Sequence, residues 1–283
     1  MNVLHQKAYA KINLGLDILS KREDGYHEVS MVMHSIDLYD DVIIEEKADG
    51  KRVYSTDSSS LPMDESNLVC KAAELFCKKY EISRGYSIYL KKRIPMAAGL
   101  AGGSSDAAAV LRGLNELFQV GATTNELMSL GKQIGADVPY CVLGKTALAE
   151  GIGEKLTEIT QPPHYGYLIV KPNIDVSTKW AYNEIDTATD LVHPDINGLV
   201  KALEEKDDKN IASKMGNIFE NVIKEKYPII EQIKKTMIEN GAYASLMSGS
   251  GPTVFGMFKE KAAMEKAAEA VNALEHECIY KIW

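Results

Sequence analysis

Twelve residues constrain the fold of this chain more than any others: Pro95-Met96-Ala97-Ala98-Gly99-Leu100-Ala101-Gly102-Gly103-Ser104-Ser105-Asp106. They join a glycine-rich loop to a helical run in which Ala107, Val110, Leu111, Leu114 and Phe118 recur on one apolar face. Gly99, Gly102 and Gly103 let the backbone bend and approach a ligand closely. A helix start presents unpaired N–H groups and the positive end of a dipole. Together these suit a phosphate. No Gly-Lys-Ser/Thr follows, so the loop is not a Walker A loop, and the G-x-G-x-x-G spacing of dinucleotide folds is absent. Taken alone, the loop also reads as a tight strand-to-helix turn.

A length of 283 residues suggests about two domains. Pro162-Pro163 marks the boundary, dividing the chain into 1–161 and 162–283. The 32 Lys and Arg against 40 Asp and Glu leave a net charge of −8, which excludes a basic nucleic-acid surface. An anionic ligand must therefore be held locally, by loop amides, a helix end and a few lysines. The four cysteines form no C-x-x-C pair and have no His at zinc-finger spacing, which predicts reduced thiols. Cys70 and Cys77 stand two helical turns apart on one buried face. No run is long enough to span a membrane, and the N-terminus lacks an apolar signal core. These features lead us to expect a cytoplasmic enzyme.

Alternation and β-rich composition predict strands at 42–46 and 86–90, with a polar loop over 55–60. Leu68, Ala72, Leu75 and Phe76 predict a helix capped by Ser66 or Asn67. A further helix begins at Thr123, whose capping box with Glu126 opens a run ending at Gly135. Beyond Pro163 come a buried strand at 167–170 and helical patterns near 195–206, 208–226 and 228–240. Strands at 243–247 and 253–258 flank the turn Ser248-Gly249-Ser250-Gly251-Pro252. A helix over 260–274 and a strand over 279–282 complete an α+β pattern.

Four further segments carry chemistry-bearing residues. In a strand over 8–16, Lys11, Asn13 and Gly15 share one face, which either meets a substrate or is simply solvated. Asp24-Gly25 signals a turn, after which Tyr26 and His27 either hold a flat base or are a half-buried Tyr beside a surface His. Asp137, between small residues and Pro139, is a positioned base or a turn residue. The Ser248–Pro252 turn is a hairpin or a second loop closing over a phosphate.

Six segments, in this order along the chain, resemble the GHMP small-molecule kinases: Ala10-Lys11-Ile12-Asn13-Leu14, Asp24-Gly25-Tyr26-His27, Gly99 to Ala108, Gly135-Ala136-Asp137-Val138-Pro139, Val176-Ser177-Thr178 and Met247 to Pro252. Three residues separate Gly99-Leu100 from Ser104-Ser105, where most members of the family have one. The longer loop resembles members acting on a cytidine diphosphate-linked alcohol rather than on homoserine or mevalonate. The resemblance implies a two-domain GHMP kinase fold with the active site in the cleft between the domains. The N-terminal domain would be like ribosomal protein S5 domain 2 and the C-terminal domain ferredoxin-like.

The implied reaction moves the γ-phosphoryl group of ATP, with Mg²⁺, onto the 2-hydroxyl of a cytidine diphosphate-linked methylerythritol, in non-mevalonate isoprenoid precursor synthesis. Carried over residue by residue, Asp137 accepts the hydroxyl proton and Lys11 holds Asp137 ionised and offsets phosphoryl charge. Asn67 and Leu68 lie on the adenine side. Pro95, Met96, Ala97, Ala98, Gly99, Leu100, Ala101, Gly102, Gly103, Ser104, Ser105 and Asp106 bind the nucleotide. His27 meets the cytosine edge, Tyr26 stacks on the ring, Tyr182 forms its other side, and Asn13 and Thr178 bind polar groups. Lys91 and Lys92 meet phosphate or lie at a solvated strand end. No acidic residue stands out as a metal ligand. No nucleic acid, membrane or partner protein is implied, and a homodimer is left open. The alternatives are another GHMP kinase of small alcohols, homoserine- or mevalonate-type, and a nucleotide-binding paralogue without catalysis.

Overall fold

A computed structural model describes residues 3–283, which form two compact units. The first comprises the chain through Lys11, then Ile36–Met96 and Ala101–Gly144. The second comprises Ile12–Ser35, Ala97–Leu100 and Lys145–Trp283. Two long strands, β1 (Val3–Lys21) and β2 (His27–Lys47), contribute to both. β1 alternates in exposure at its start and is then buried without a break from Ala10 to Ile18. A strand covered on both faces carries a near-continuous apolar run rather than an alternating one. The buried Lys11 and Asn13 therefore do not form a solvated strand face.

In the first unit the second half of β2 pairs antiparallel with β4 (Gly85–Lys91), from Asp41↔Lys91 to Lys47↔Gly85. β4 pairs parallel with β3 (Arg52–Thr56), a strand that takes in the start of the expected polar loop. Helices α1 (Leu68–Lys79) and α2 (Gly102–Leu117) pack together, and Ala107, Ala108 and Ala109 of α2 are fully buried. Cys70 and Cys77 are free and buried on α1, as their spacing predicts. The capping box of α3 (Thr124–Gly131) forms in both directions, with Glu126 N donating to Thr123 Oγ1 and Thr123 N to Glu126 Oε2. α3 ends at Gly131 rather than Gly135, because the chain tightens into a turn where Ile134 N donates to Gly131 O. A short helix, α4 (Val138–Leu143), follows.

In the second unit β5 (Ala147–Gly151) pairs with the start of β2, and β6 (Lys155–Glu158) pairs with β5. A separate antiparallel sheet contains β7 (Gly166–Lys171), β9 (Ala244–Met247), β10 (Val254–Phe258) and β11 (Cys278–Ile282), in the order β11–β7–β10–β9. Helices α9 (Pro228–Glu239) and α10 (Lys261–Val271) pack on it. Read along the chain, β7, α9, β9, β10, α10 and β11 form the β-α-β-β-α-β order of a ferredoxin-like sandwich.

Between β7 and α9 lie α5 (Thr178–Thr187), α6 (Ile196–Glu205), α7 (Asp208–Lys214), β8 (Gly216–Asn217) and α8 (Glu220–Lys226). The continuous helical pattern expected over 208–226 is broken by β8, which pairs parallel with Gly15 and Leu16 of β1. Asn217 Nδ2 donates to the carbonyls of Met247 and Gly249, both at 2.8 Å, so tertiary pairing overrides local periodicity there. Among the described residues no helix is long and apolar enough to cross a membrane.

Thr123→Ala removes a side-chain acceptor from the start of α3 and should destabilise the chain by about 1 kcal/mol. Thermal unfolding should show a Tm lower by roughly 2–4 °C.

Candidate active site

In the first unit, Lys11 sits within the buried stretch of β1 and is only 5% exposed. Burial pushes its ammonium below the ordinary lysine range, opposed chiefly by the nearby charge of Asp137. Asp137 is half-buried at the residue before α4, where its carbonyl accepts from Cys141 N at 3.0 Å. The local pattern of α4 was hidden behind Pro139, which occupies its first turn. Ser105 Oγ donates to Tyr9 O at 2.6 Å and lies 3.3 Å from Cys141 Sγ. Arg112 of α2 donates to Cys141 O at 2.8 Å and to Lys7 O at 3.1 Å. These bonds tie α2, α4 and β1 together on either side of Lys11. Burial pushes the Cys141 thiol up to about 12, so it is inert at neutral pH.

The glycine-rich loop enters α2 with its backbone alternating in hand. Ala97, Gly99 and Ala101 have φ of 50°, 71° and 56°, while Ala98 and Leu100 stay on the negative side. Alternating hands turn successive N–H groups toward one concavity, an arrangement that holds anions. The α2 N-cap, Ala101, makes no side-chain cap bond, so the first N–H groups of a 16-residue helix have no capping side chain. Gly103 is exposed and Ser104 half-buried there, whereas the Ser105 hydroxyl is engaged by Tyr9. Met96 is exposed, and Ala98 and Leu100 are buried. Asn67 caps α1, its Oδ1 accepting from Val69 N at 2.9 Å, and Leu68 opens that helix and borders Gly103.

Lys92 is no solvated strand end. Its ammonium lies against Asp40 and, at 2.8 Å, Asp106 Oδ2. Asp40 also accepts from the N–H groups of Arg93 and Ile94. Two buried carboxylates share one cation, and burial pushes Asp106 up to about 8, with Lys92 opposing. Asp106 Oδ1 has no hydrogen-bond partner.

In the second unit, the Ser248–Pro252 turn joins β9 to β10 and closes on the glycine loop. Ser248 Oγ donates to Gly99 O at 3.1 Å, and a Cβ at Gly99 would come within 2.4 Å of Ser248 O. The same turn reaches α5, where Thr178 Oγ1 and Ser250 Oγ lie 2.8 Å apart. His27 and Tyr182 are brought ring to ring, with centroids 4.6 Å apart. Tyr182 packs edge-on against Phe219 at 4.9 Å, while Tyr26 is 59% exposed. Asn13 is fully buried, with Nδ2 3.6 Å from Met31 Sδ. Two residues the sequence reading passed over join this group. Asp186 lies 2.7 Å from His27 Nε2 and 2.5 Å from Lys21 Nζ. The signal for Asp186 was its place four residues after Tyr182. Among the described residues no group of three His, Cys, Asp or Glu is arranged to hold a metal ion.

The family models for the GHMP kinase N-terminal and C-terminal domains match residues 67–145 and 199–276. The chain belongs to the GHMP kinases. Within them it falls among the 4-diphosphocytidyl-2-C-methyl-D-erythritol kinases. It is 50% identical to that of Lachnospira eligens over 93% of this chain and 92% of the relative. It is 47% identical to that of Acetivibrio thermocellus over 98% of each. A crystal structure of 4-(cytidine 5'-diphospho)-2C-methyl-D-erythritol kinase superposes with a TM-score of 0.83 at 30% identity, covering 99% of this chain and 98% of that one. The fold alone is shared with L. major mevalonate kinase, at a TM-score of 0.78 and 16% identity over 98% of this chain and 94% of that one.

Asp106 titrates at about 8 when folded, above roughly 3.9 for an unfolded aspartate. The unfolded chain binds fewer protons between these values, so this group's contribution to stability falls as pH rises through them. Asp106→Asn should flatten that dependence. Urea unfolding at about pH 5 and about pH 8 should give more nearly equal stabilities than in the unsubstituted chain.

Proposed function

We propose that this chain transfers the γ-phosphoryl group of ATP to the 2-hydroxyl of 4-diphosphocytidyl-2-C-methyl-D-erythritol, as a cytoplasmic enzyme of isoprenoid precursor synthesis. The observation that carries the reading is the placement of Asp137 within electrostatic reach of a buried Lys11, in the unit that holds the uncapped start of α2. The loop from Pro95 to Ser105 and the first turn of α2 fit the phosphates of ATP, since alternating backbone hands and open N–H groups are the donors an anion needs. Bound there, ATP with its Mg²⁺ supplies the phosphoryl group. Asn67, Leu68 and Asp106 complete the nucleotide side.

Phosphoryl transfer asks a protein mainly for positioning and charge stabilisation. Asp137 accepts the proton of the substrate hydroxyl. Lys11 offsets the charge of the transferring group. The Asp137 charge opposes, without overcoming, the burial that disfavours the Lys11 ammonium form. Ser105 positions rather than binds, because its hydroxyl anchors the helix start to the residue two before Lys11. His27 and Tyr182 hold the cytosine with Tyr26, and Asn13 and Thr178 take polar groups of the substrate.

The test is ADP release from Mg-ATP with the cytidine-linked substrate, homoserine or mevalonate as acceptor. Turnover with the cytidine compound only is expected; turnover only with another alcohol overturns the substrate. Asp137→Ala should lower kcat roughly a hundredfold to ten-thousandfold and leave ATP affinity unchanged. His27→Ala should raise KM for the cytidine substrate about tenfold, with KM for ATP unmoved. Equal changes in both would remove the base-binding role.

A further inference from the structure

Thr178, Tyr182 and Asp186 stand four residues apart on α5 and so share one face of the helix. That face meets the turn leading into β2. Tyr182 lies against the His27 ring, tilted by 30°. One helical turn on, Asp186 Oδ1 lies 2.7 Å from His27 Nε2, and its other oxygen takes Lys21 Nζ at 2.5 Å. The hydrogen bonds from Lys21 and His27 hold the Asp186 carboxyl below the ordinary aspartate range.

An ionised carboxylate can only accept. The hydrogen between Asp186 and His27 therefore sits on Nε2, and in the Nε2–H tautomer the lone pair is on Nδ1. Among the described residues Nδ1 has no hydrogen-bond partner. Lys21 balances the second carboxylate oxygen, so the ring faces an ion pair rather than a bare anion. A ring held this way beside an aromatic face is an acceptor awaiting a donor.

We propose that Asp186 is a positioning residue that holds His27 as its Nε2–H tautomer, so that Nδ1 selects a pyrimidine presenting an amino group over one presenting a carbonyl oxygen. Cytosine carries an amino group at the edge where uracil carries an oxygen. Two acceptors placed face to face leave both unpaired, and sites built around one hydrogen bond reject the mismatched analogue strongly. The inference rests on the proposal that this site binds a cytidine-linked substrate.

Two measurements test it. The first is ¹⁵N NMR of the full chain labelled at histidine, with the His27 signals assigned by their loss in His27→Gln. The Nε2–H tautomer is expected, and an Nδ1–H ring overturns the proposal. This experiment needs no substrate and no substitution at Asp186. The second compares cytidine diphosphate-linked and uridine diphosphate-linked methylerythritol as acceptors. Asp186→Asn can donate as well as accept, so it should raise KM for the cytidine compound about tenfold and cut the cytidine-to-uridine ratio of kcat/KM by a similar factor. KM for ATP and kcat should stay within about twofold, and Asp186→Glu should recover most of the selectivity. Unchanged selectivity in Asp186→Asn, or a uniform fall in kcat for both acceptors, overturns the role. If the unsubstituted chain phosphorylates neither acceptor, the selectivity falls together with the function proposed above. The NMR result still decides whether Asp186 holds His27.

Discussion

A lysine taken out of water within a strand is the constraint around which the first unit is organised. Burying an ammonium group is costly unless opposite charge and hydrogen-bond acceptors accompany it. At Lys11 that company comes from Asp137, at the start of α4. The elements that bring it there are fastened by backbone-directed side chains: Ser105 to Tyr9 and Arg112 to Cys141 and Lys7. The geometry that makes Lys11 tolerable in the interior is the same geometry that sets a carboxylate beside it. Burial of the lysine and placement of the carboxylate are two aspects of one electrostatic arrangement.

The second unit shows a comparable economy of parts. One hairpin turn, Ser248–Pro252, touches the glycine loop through Gly99, α5 through Thr178, and β8 through Asn217. Gly99 has no room for a side chain there, which gives that glycine a packing reason in addition to its left-handed backbone. Glu220, largely buried, accepts from Met247 N just before the turn and is paired with Lys234. The glycine loop, α5 and β8 are thus anchored to a common piece of backbone.

Much of this was legible in the chain. The capping residues Asn67 and Thr123, the apolar face of α2 and the strands flanking Ser248–Pro252 follow local rules, and local rules sufficed for them. The long strands did not reveal their extent, because a strand buried on both faces loses the alternation that marks it, as Ala10 to Ile18 shows. The break in the helical run at Gly216 depends on pairing with Gly15, about two hundred residues earlier in sequence, which no local window contains. Among the candidate site residues, the sequence singled out Lys11, Asp137, His27 and Tyr182. Asp186, Lys21, Asp40 and the pairing of Asp40 with Lys92 and Asp106 stayed hidden, because charged residues on a strand or helix ordinarily face solvent. Only the fold buries Asp40, Lys92 and Asp106 together and pairs Asp186 with His27 and Lys21.

The left-handed backbone at Ala97 and Ala101 carries a further meaning. An L-residue with a Cβ costs roughly 1–2 kcal/mol in that region, and glycine would relieve it. The loop nonetheless carries two alanines there, with glycine only at the position between them. A loop of this kind has few other shapes available to it, so its concavity is largely set when the chain folds. Little ordering entropy then remains to be surrendered when an anion arrives, and tightness of binding depends less on freezing a mobile segment than on how well a pre-cut mould matches its guest.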